Sequence, residues 1–308
     1  AGLCPVAIGA DGGGSIRIPS AFCGVVGLKP TFGRVSEFGA APLTWSMGHL
    51  GPIAATVQDA ALGYAVLAGA DPLDPNTHGQ PAPILDGYHA DDLKGLTLGV
   101  FRPWFEHATP EIVAACQSVL DGLAARGATV HEIAIPELDI ARIGQVVTIL
   151  SEMMTGMGPY YAEHRHDFDL HTRLLLALAG SFTAQDYVAT QRIRTRTIRT
   201  FMRILSDVDV IITPTTAVTA PAIPPDALPD GESDTSVTTE IMRFVNTGNF
   251  TGLPALTFPA GYDSKGLPIG CQVMGRPWEE HTLLRIAHVA GGFIERRAPQ
   301  VHYDLLQQ

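Results

Sequence analysis

The residues best suited to chemistry lie near the start of the chain, in Asp11-Gly12-Gly13-Gly14-Ser15-Ile16-Arg17-Ile18-Pro19. Consecutive glycines let the backbone take φ > 0 and turn successive N–H groups onto one concave face, as an oxyanion hole requires. Ser15 closes that turn. Its hydroxyl would sit beside the donors that stabilise the tetrahedral oxyanion formed when it attacks a carbonyl, which is acyl-transfer chemistry. Taken alone, the string is shared with flexible loops and phosphate-binding turns, so the flanking residues have to decide. Ser15 is not in a G-x-S-x-G elbow, which argues against a Ser–His–Asp hydrolase even though the sequence holds eleven histidines.

Other candidate groups are weaker. His164, His166 and His171 with Asp167 and Asp169 can be drawn as a metal cluster, but this reads as a solvated polar run. Asn249-Phe250-Thr251 matches a glycosylation acceptor by coincidence of spacing. Met153, Met154, Met157 and Phe182 suit either an acyl pocket or plain core. Arg192, Arg194, Arg196 and Arg199 read as one solvated or salt-bridged side of a helix.

The elements that must position these residues follow from periodicity and punctuation. Residues 1–60 suit tight turns between short strands and helix starts. Val57, Ala60, Ala61, Tyr64 and Leu67 mark an amphipathic helix, followed by a polar loop over residues 71–76 and a linker to about Lys94. A strand over Thr97–Phe101, a helix from Pro110 capped by Thr109 and closed at Arg126-Gly127, and a strand over Thr129–Ile135 form a β-α-β unit, and so a parallel pair. Helical spacing runs from Ala141 to about Ile204, with breaks expected at Gly156–Tyr160 and near Gly180. A buried strand follows over Val208–Thr213, then an irregular crossing over Ala220–Ser236 and a return to helix. Strands at Ala255–Pro259 and Ile269–Met274 flank a hairpin turn, and a last helix covers Glu280–Ile294. The class is α/β.

Composition sets outer limits. The 308 residues are 46% hydrophobic and 17% charged, enough for a large core. A net charge of −11 disfavours a grip on phosphate backbones or anionic lipid, so nucleic acid is not expected as a direct ligand. Cys4, Cys23, Cys116 and Cys271 contain no CxxC pair and read as reduced, buried thiols. No apolar run reaches the roughly 18 residues a transmembrane helix needs, and no leader pattern is visible at residue 1; a cytoplasmic protein is the expectation.

Beyond Pro19 the sequence continues through Ser20, Gly24, Gly27, Leu28, Lys29, Pro30, Thr31, Phe32, Gly33, Arg34, Val35 and Ser36, and this stretch resembles the amidase signature family. The likeness holds downstream at Asp209–Thr216, Gly252–Ala255 and Gly266–Pro277, so it covers nearly the whole chain. Phe182–Tyr187, Thr219–Leu228 and Val237–Phe244 look most like the plant-type fatty acid amide hydrolases.

That resemblance implies one amidase signature domain over residues 1–308, with residues 1–36 as its signature stretch. Its mixed, largely parallel sheet would be covered by helices on both faces. It implies a Ser–cis-Ser–Lys mechanism with Ser15 as nucleophile. Gly12, Gly13, Gly14 and the Ser15 amide would form the oxyanion hole, and Asp11 and Arg17 would hold the loop. In the family the bridging serine and the lysine precede the nucleophile, at positions that would fall before Ala1. Lys29, Lys94 and Lys265 are the only lysines here; Lys29 matches a structural position and the others fall in polar turns. The expectation is an N-terminally shortened amidase of a carboxylic or fatty acyl amide, inactive or weak on its own and poorly soluble. The substrate would be a small-molecule amide, with no cofactor, no metal, and a homodimer as the open possibility. The alternatives are a glutamine-dependent amidotransferase of the A type or a non-catalytic homologue. Gly48 stands where many members carry an aspartate, which puts one local hydrogen bond in doubt.

Overall fold

A computed structural model describes residues 2–223, 234–299 and 301–303. In chain order its first part holds β1 (Val6–Ala10), α1 (Arg17–Cys23), β2 (Val26–Lys29), β3 (Leu50–Ala54) and α2 (Val57–Leu67). The middle holds β4 (Thr97–Val100), α3 (Arg102–Phe105), α4 (Pro110–Ala124), β5 (Thr129–Glu132), α5 (Leu138–His164), α6 (Leu170–Ala179) and α7 (Ala184–Asp207). Then follow β6 (Val210–Pro214), α8 (Thr235–Met242), α9 (Asn246–Thr251), β7 (Ala255–Tyr262), β8 (Pro268–Gly275) and α10 (Glu280–Gly291).

The strands form one eight-stranded sheet in the order β1-β3-β2-β7-β8-β6-β4-β5. The sheet is mixed, with helices on both faces, but its parallel share is smaller than the resemblance implies. Among the described strands only β4–β5, the β-α-β unit read from the sequence, and β4–β6 are parallel, and the remaining pairs are antiparallel. Side chains alternate across it: Val210 and Ile212 enter a core layer with α2, α4 and α10, while Ile211 enters the other with Phe201 and Leu205 of α7. The second face carries the chemistry-bearing elements, because Gln272 alternates with Cys271 and Val273 to point at α1. Among the described strands β1 pairs on one side only, with β3, and Ile8 is 64% exposed.

Local chemistry explains most boundaries. Thr56 caps α2 by accepting from Asp59 N, and Thr183 and Asp186 form a reciprocal capping box on α7. The β7–β8 hairpin turns at Asp263, whose carboxylate accepts from Lys265 N and Leu267 N. Four further expectations need correcting. α5 passes without a break through Gly156–Tyr160, with Pro159 inside it; Gly156 serves close approach, since a Cβ there would lie 3.0 Å from Pro42 O. Cys4 and Cys23 are exposed, and only Cys116 and Cys271 are buried. Arg194 is not on the solvated side of α7; it turns inward and donates to Phe250 O at 2.8 Å and to Ser46 O at 2.6 Å. The strand after α4 ends at Glu132. Of the irregular crossing expected over Ala220–Ser236, residues 224–233 lie outside the described residues. α8 begins at Thr235, on the cap formed by Asp234.

Candidate active site

β1 runs directly into the glycine bend. Asp11 N donates to His49 O at 2.8 Å, extending the β1–β3 ladder one residue beyond the strand, and the chain then turns through residues 12–14. Of the three glycines only Gly14 has a positive φ, at 128°. Gly12 and Gly13 are required for space. A Cβ on Gly12 would lie 2.9 Å from Thr44 Cγ2, and one on Gly13 would lie 2.9 Å from Met242 Cε and 3.3 Å from Gln145 Nε2.

Asp11 and Arg17 fix this bend from inside. Both side chains are fully buried, with Arg17 Nε 3.0 Å from Asp11 Oδ2. Asp11 Oδ1 accepts from Gly14 N at 2.6 Å, and Oδ2 accepts from Ile16 N at 3.2 Å. Burial alone would raise the Asp11 pKa, but the Arg17 charge and its hydrogen bonds, with Lys29 and His49, hold the carboxyl well below the usual range. All five Arg17 donors are used: Nε and one Nη2 hydrogen on Asp11, the others on Asn249 Oδ1, Val245 O and Gln272 Oε1. Asn249 also donates through Nδ2 to Asp11 O and Asp11 Oδ1, at 2.7 and 2.9 Å. An asparagine so buried and engaged is no glycosylation acceptor.

This network divides the backbone donors. The Gly14 N–H is held by Asp11, so Gly14 does not offer the free oxyanion donor that the resemblance assigns to it. The N–H groups of Gly12, Gly13 and Ser15 have no acceptor among the described residues. Ser15 itself is exposed, and its hydroxyl has no hydrogen-bond partner among them.

Beside the bend opens a cavity of about 960 Å³, reaching Asp11 and Gly12; Ser15 is not in its wall. Its lining is chiefly apolar, with Phe38, Leu43, Trp45, Met154 and Phe182. Met153 is buried core instead, so of the candidate pocket residues Met154 and Phe182 face the cavity. Glu152 on one wall accepts from Thr44 Oγ1, Ser46 N, Ser46 Oγ and Tyr187 Oη. Glu37 and Asp74 form a second polar patch. Burial, with Asp74 adding to it, raises the Glu37 pKa to about 7. The Glu37 carboxylate occupies the space that a side chain on residue 48 would need, so Gly48 leaves no hole there.

Lys29 is fully buried and donates to Leu253 O at 2.6 Å and Pro30 O at 3.2 Å. Burial, then the Arg17 charge, push its pKa well down against the pull of Asp11 and Glu280. Lys94 and Lys265 are exposed in turns. His49 donates from Nδ1 to Met47 O at 2.7 Å, and burial, then Lys29, hold its pKa well below the ordinary histidine value. Asp167 pairs with His164 and Asp169 caps α6; among the described residues no three metal-ligating side chains converge. No described helix is long and apolar enough to cross a membrane.

Gln272 and Asn249 lie in stretches that stand out in the sequence for other reasons, and their role at the bend is visible only in three dimensions. Gln145, Glu37 and Glu152 carry no sequence signal at all. Arg17, Asn249 and Gln272 meet only because α1, α9 and β8 converge.

Comparison with known proteins fits this geometry. The profile of the amidase family matches residues 1–284. A fatty acid amide hydrolase from Medicago truncatula is 45% identical over 99% of this chain and 52% of its own length. An amidase from Pseudomonas putida is 37% identical over 91% of this chain and 60% of its own. The crystal structure of a bacterial aryl acylamidase of the amidase signature enzymes superposes with a TM-score of 0.79 at 25% identity, covering 94% of this chain and 62% of that one. The chain thus spans about half the length of the plant relative it matches.

Proposed function

This chain belongs to the amidase family, and from that premise we propose that its 308 residues form a single amidase unit. It carries the acyl-accepting serine of an enzyme that hydrolyses carboxylic or fatty acyl amides. The observation that carries the reading is the bend locked by Asp11 and Arg17, which leaves three N–H groups around Ser15 without an acceptor among the described residues.

Ser15 Oγ attacks the amide carbonyl as its proton leaves, and the carbonyl oxygen takes the negative charge. The Gly12, Gly13 and Ser15 amides are the donors for that oxyanion. Collapse of the tetrahedral species breaks the C–N bond, the departing amine takes a proton, and an acyl-Ser15 ester remains. Water then attacks the ester and returns the proton to Ser15 Oγ, releasing the acid. Asp11 and Arg17 take no proton; they keep the donors aimed.

Proton transfer needs a base, and among the described residues no lysine meets Ser15. Lys29 is tied to two carbonyls and the other two stand in turns. In the family resembled, a bridging hydroxyl and an amine carry that proton, and none of the three lysines here is placed for the amine's part. The apolar cavity beside Gly12 supports a long acyl chain as the substrate's greasy part. The 45% identity to the Medicago protein favours this over release of ammonia for a partner enzyme.

The test is labelling by a fluorophosphonate, followed by peptide mass spectrometry, in the longest form of the protein its gene encodes. Ser15 should carry the label, and Ser15→Ala should abolish both labelling and turnover of fatty acyl amides while the fold persists. Turnover that survives Ser15→Ala would overturn the assignment.

A further inference from the structure

Two glycines in succession create a difficulty for an oxyanion hole. The peptide between Gly12 and Gly13 has no Cβ on either side, so it can rotate by half a turn at little steric cost. Such a flip would replace the Gly13 N–H by the Gly12 carbonyl oxygen, turning a donor aimed at the oxyanion into a repelling partial negative charge. A functional bend therefore needs something that holds this one peptide plane.

Gln145 meets that need. It stands on α5, fully buried, and Nε2 donates to Gly12 O at 3.4 Å. The peptide is trans, as no cis bond occurs among the described residues. The Gly13 N–H therefore points away from the carbonyl that Gln145 holds. That N–H is one of those without an acceptor among the described residues. The other atoms nearest the two glycines are carbons, Thr44 Cγ2 among them, whose own hydroxyl is turned to Glu152. Ile149 Cδ1 would lie 3.3 Å from a Cβ on Gly12, and Met242 Cε 2.9 Å from one on Gly13. Gln145 Nε2 is thus the one polar atom among those nearest the two glycines, and neither Ile149 nor Met242 has a group that could replace it. Gln145 Oε1 is buried and unpartnered, so the side chain is not retained to satisfy some other donor among the described residues. A leucine or methionine would fill the same volume without leaving a bare buried oxygen.

We propose that Gln145 is a positioning residue for the oxyanion hole, holding the Gly12–Gly13 peptide so that the Gly13 N–H faces the carbonyl attacked by Ser15. The proposal rests on Ser15 being the nucleophile. It acts on the transition state alone, so its loss should appear in kcat and leave KM in place.

The experiment uses Gln145→Met and Gln145→Glu in the longest encoded form of the protein, with thermal unfolding as a check on the fold. Gln145→Met should lower kcat for a fatty acyl anilide by about 10- to 100-fold, at or below the loss of one oxyanion donor, with KM within about twofold. Gln145→Glu presents a repelling carboxylate at high pH and a donating carboxylic acid at low pH. Its kcat relative to the unsubstituted protein should therefore recover as pH falls, while the Met ratio stays flat. The Gly13 amide resonance should move in both variants. Retention of kcat by Gln145→Met, a loss confined to KM, or a flat ratio for Gln145→Glu would each overturn the proposal. Should Gln145→Met fail to fold, the two protonation states of the Glu variant decide. Failure of the unsubstituted protein to label at Ser15 would instead defeat the amidase reading and this proposal with it.

Discussion

Arg17 on α1 donates from Nη1 to Gln272 Oε1 on β8 at 2.7 Å, joining residues 255 positions apart. Gln272 in turn donates from Nε2 to Thr213 Oγ1 and Phe244 O. One amide therefore ties the bend's guanidinium to β6 and to the turn between α8 and α9. Gln272→Met keeps the volume and removes both functions, stranding an Arg17 donor at a dry site. It should cost about 2–4 kcal/mol, read as a lower urea midpoint with an unchanged m value.

Asp11, buried, and Glu37, half-buried, give opposite pH dependences. The Asp11 pKa is depressed, so its contribution is complete above the unfolded value near 4 and fades as pH falls. The Glu37 pKa is raised to about 7, so its contribution is complete below its unfolded value and is lost as pH rises through 7. Glu37→Gln should accordingly gain about 1–2 kcal/mol on the parent at pH 8 relative to pH 5, allowing for partial exposure. Equal Tm differences at the two pH values would refute this.

Gly48 and Glu37 compete for one volume, because a Cβ on residue 48 falls within contact distance of both Glu37 oxygens and 2.8 Å from Thr44 O. Gly48→Ala should destabilise by about 1–3 kcal/mol, and adding Glu37→Ala should restore part of it. A double-mutant cycle in denaturant measures the coupling; additivity within about 0.5 kcal/mol would show that the two side chains do not compete.

Arg194 and Arg192 should behave differently although two residues apart. Arg194→Ala removes bonds to Ser46 O, Ser46 Oγ and Phe250 O and should cost about 2–4 kcal/mol. Arg192, exposed on the outer face of α7, should change stability by under about 0.5 kcal/mol when replaced by Ala. Chemical unfolding of both variants checks the contrast.

How much of this was legible in the sequence depended on how local the cause was. The bend, the β-α-β unit and the β7–β8 hairpin are set by residues a few positions apart, and each is found near its expected place, though Thr109, expected to cap α4, stands at its N-cap position without a side-chain bond. Arg194 shows where counting failed. Alternation with Thr and Ile suggested one face, yet at about 100° per residue Arg194 falls opposite Arg192 and Arg196. Gly156 failed for a related reason: it looks like a break, but the packed loop at Pro42 uses it as a close approach within a continuous helix. Gln145 and Glu37 were invisible because nothing near them differs from ordinary helix or loop. Their meaning comes from elements far along the chain, and the same holds for the division of donors that leaves Gly14 committed to Asp11.

The outer side of β1 carries a further implication. Its partner β3 lies on one side only among the described strands, while its last residue, Ala10, adjoins Asp11. A backbone laid along the open side would be indexed to β1, and through Ala10 to the start of the bend, as teeth on a rack are to a pinion. A slip of one residue would turn every side chain of the newcomer to the other face of the sheet. A slip of two would restore the faces, so that edge discriminates between odd and even registers and tolerates insertions only in pairs.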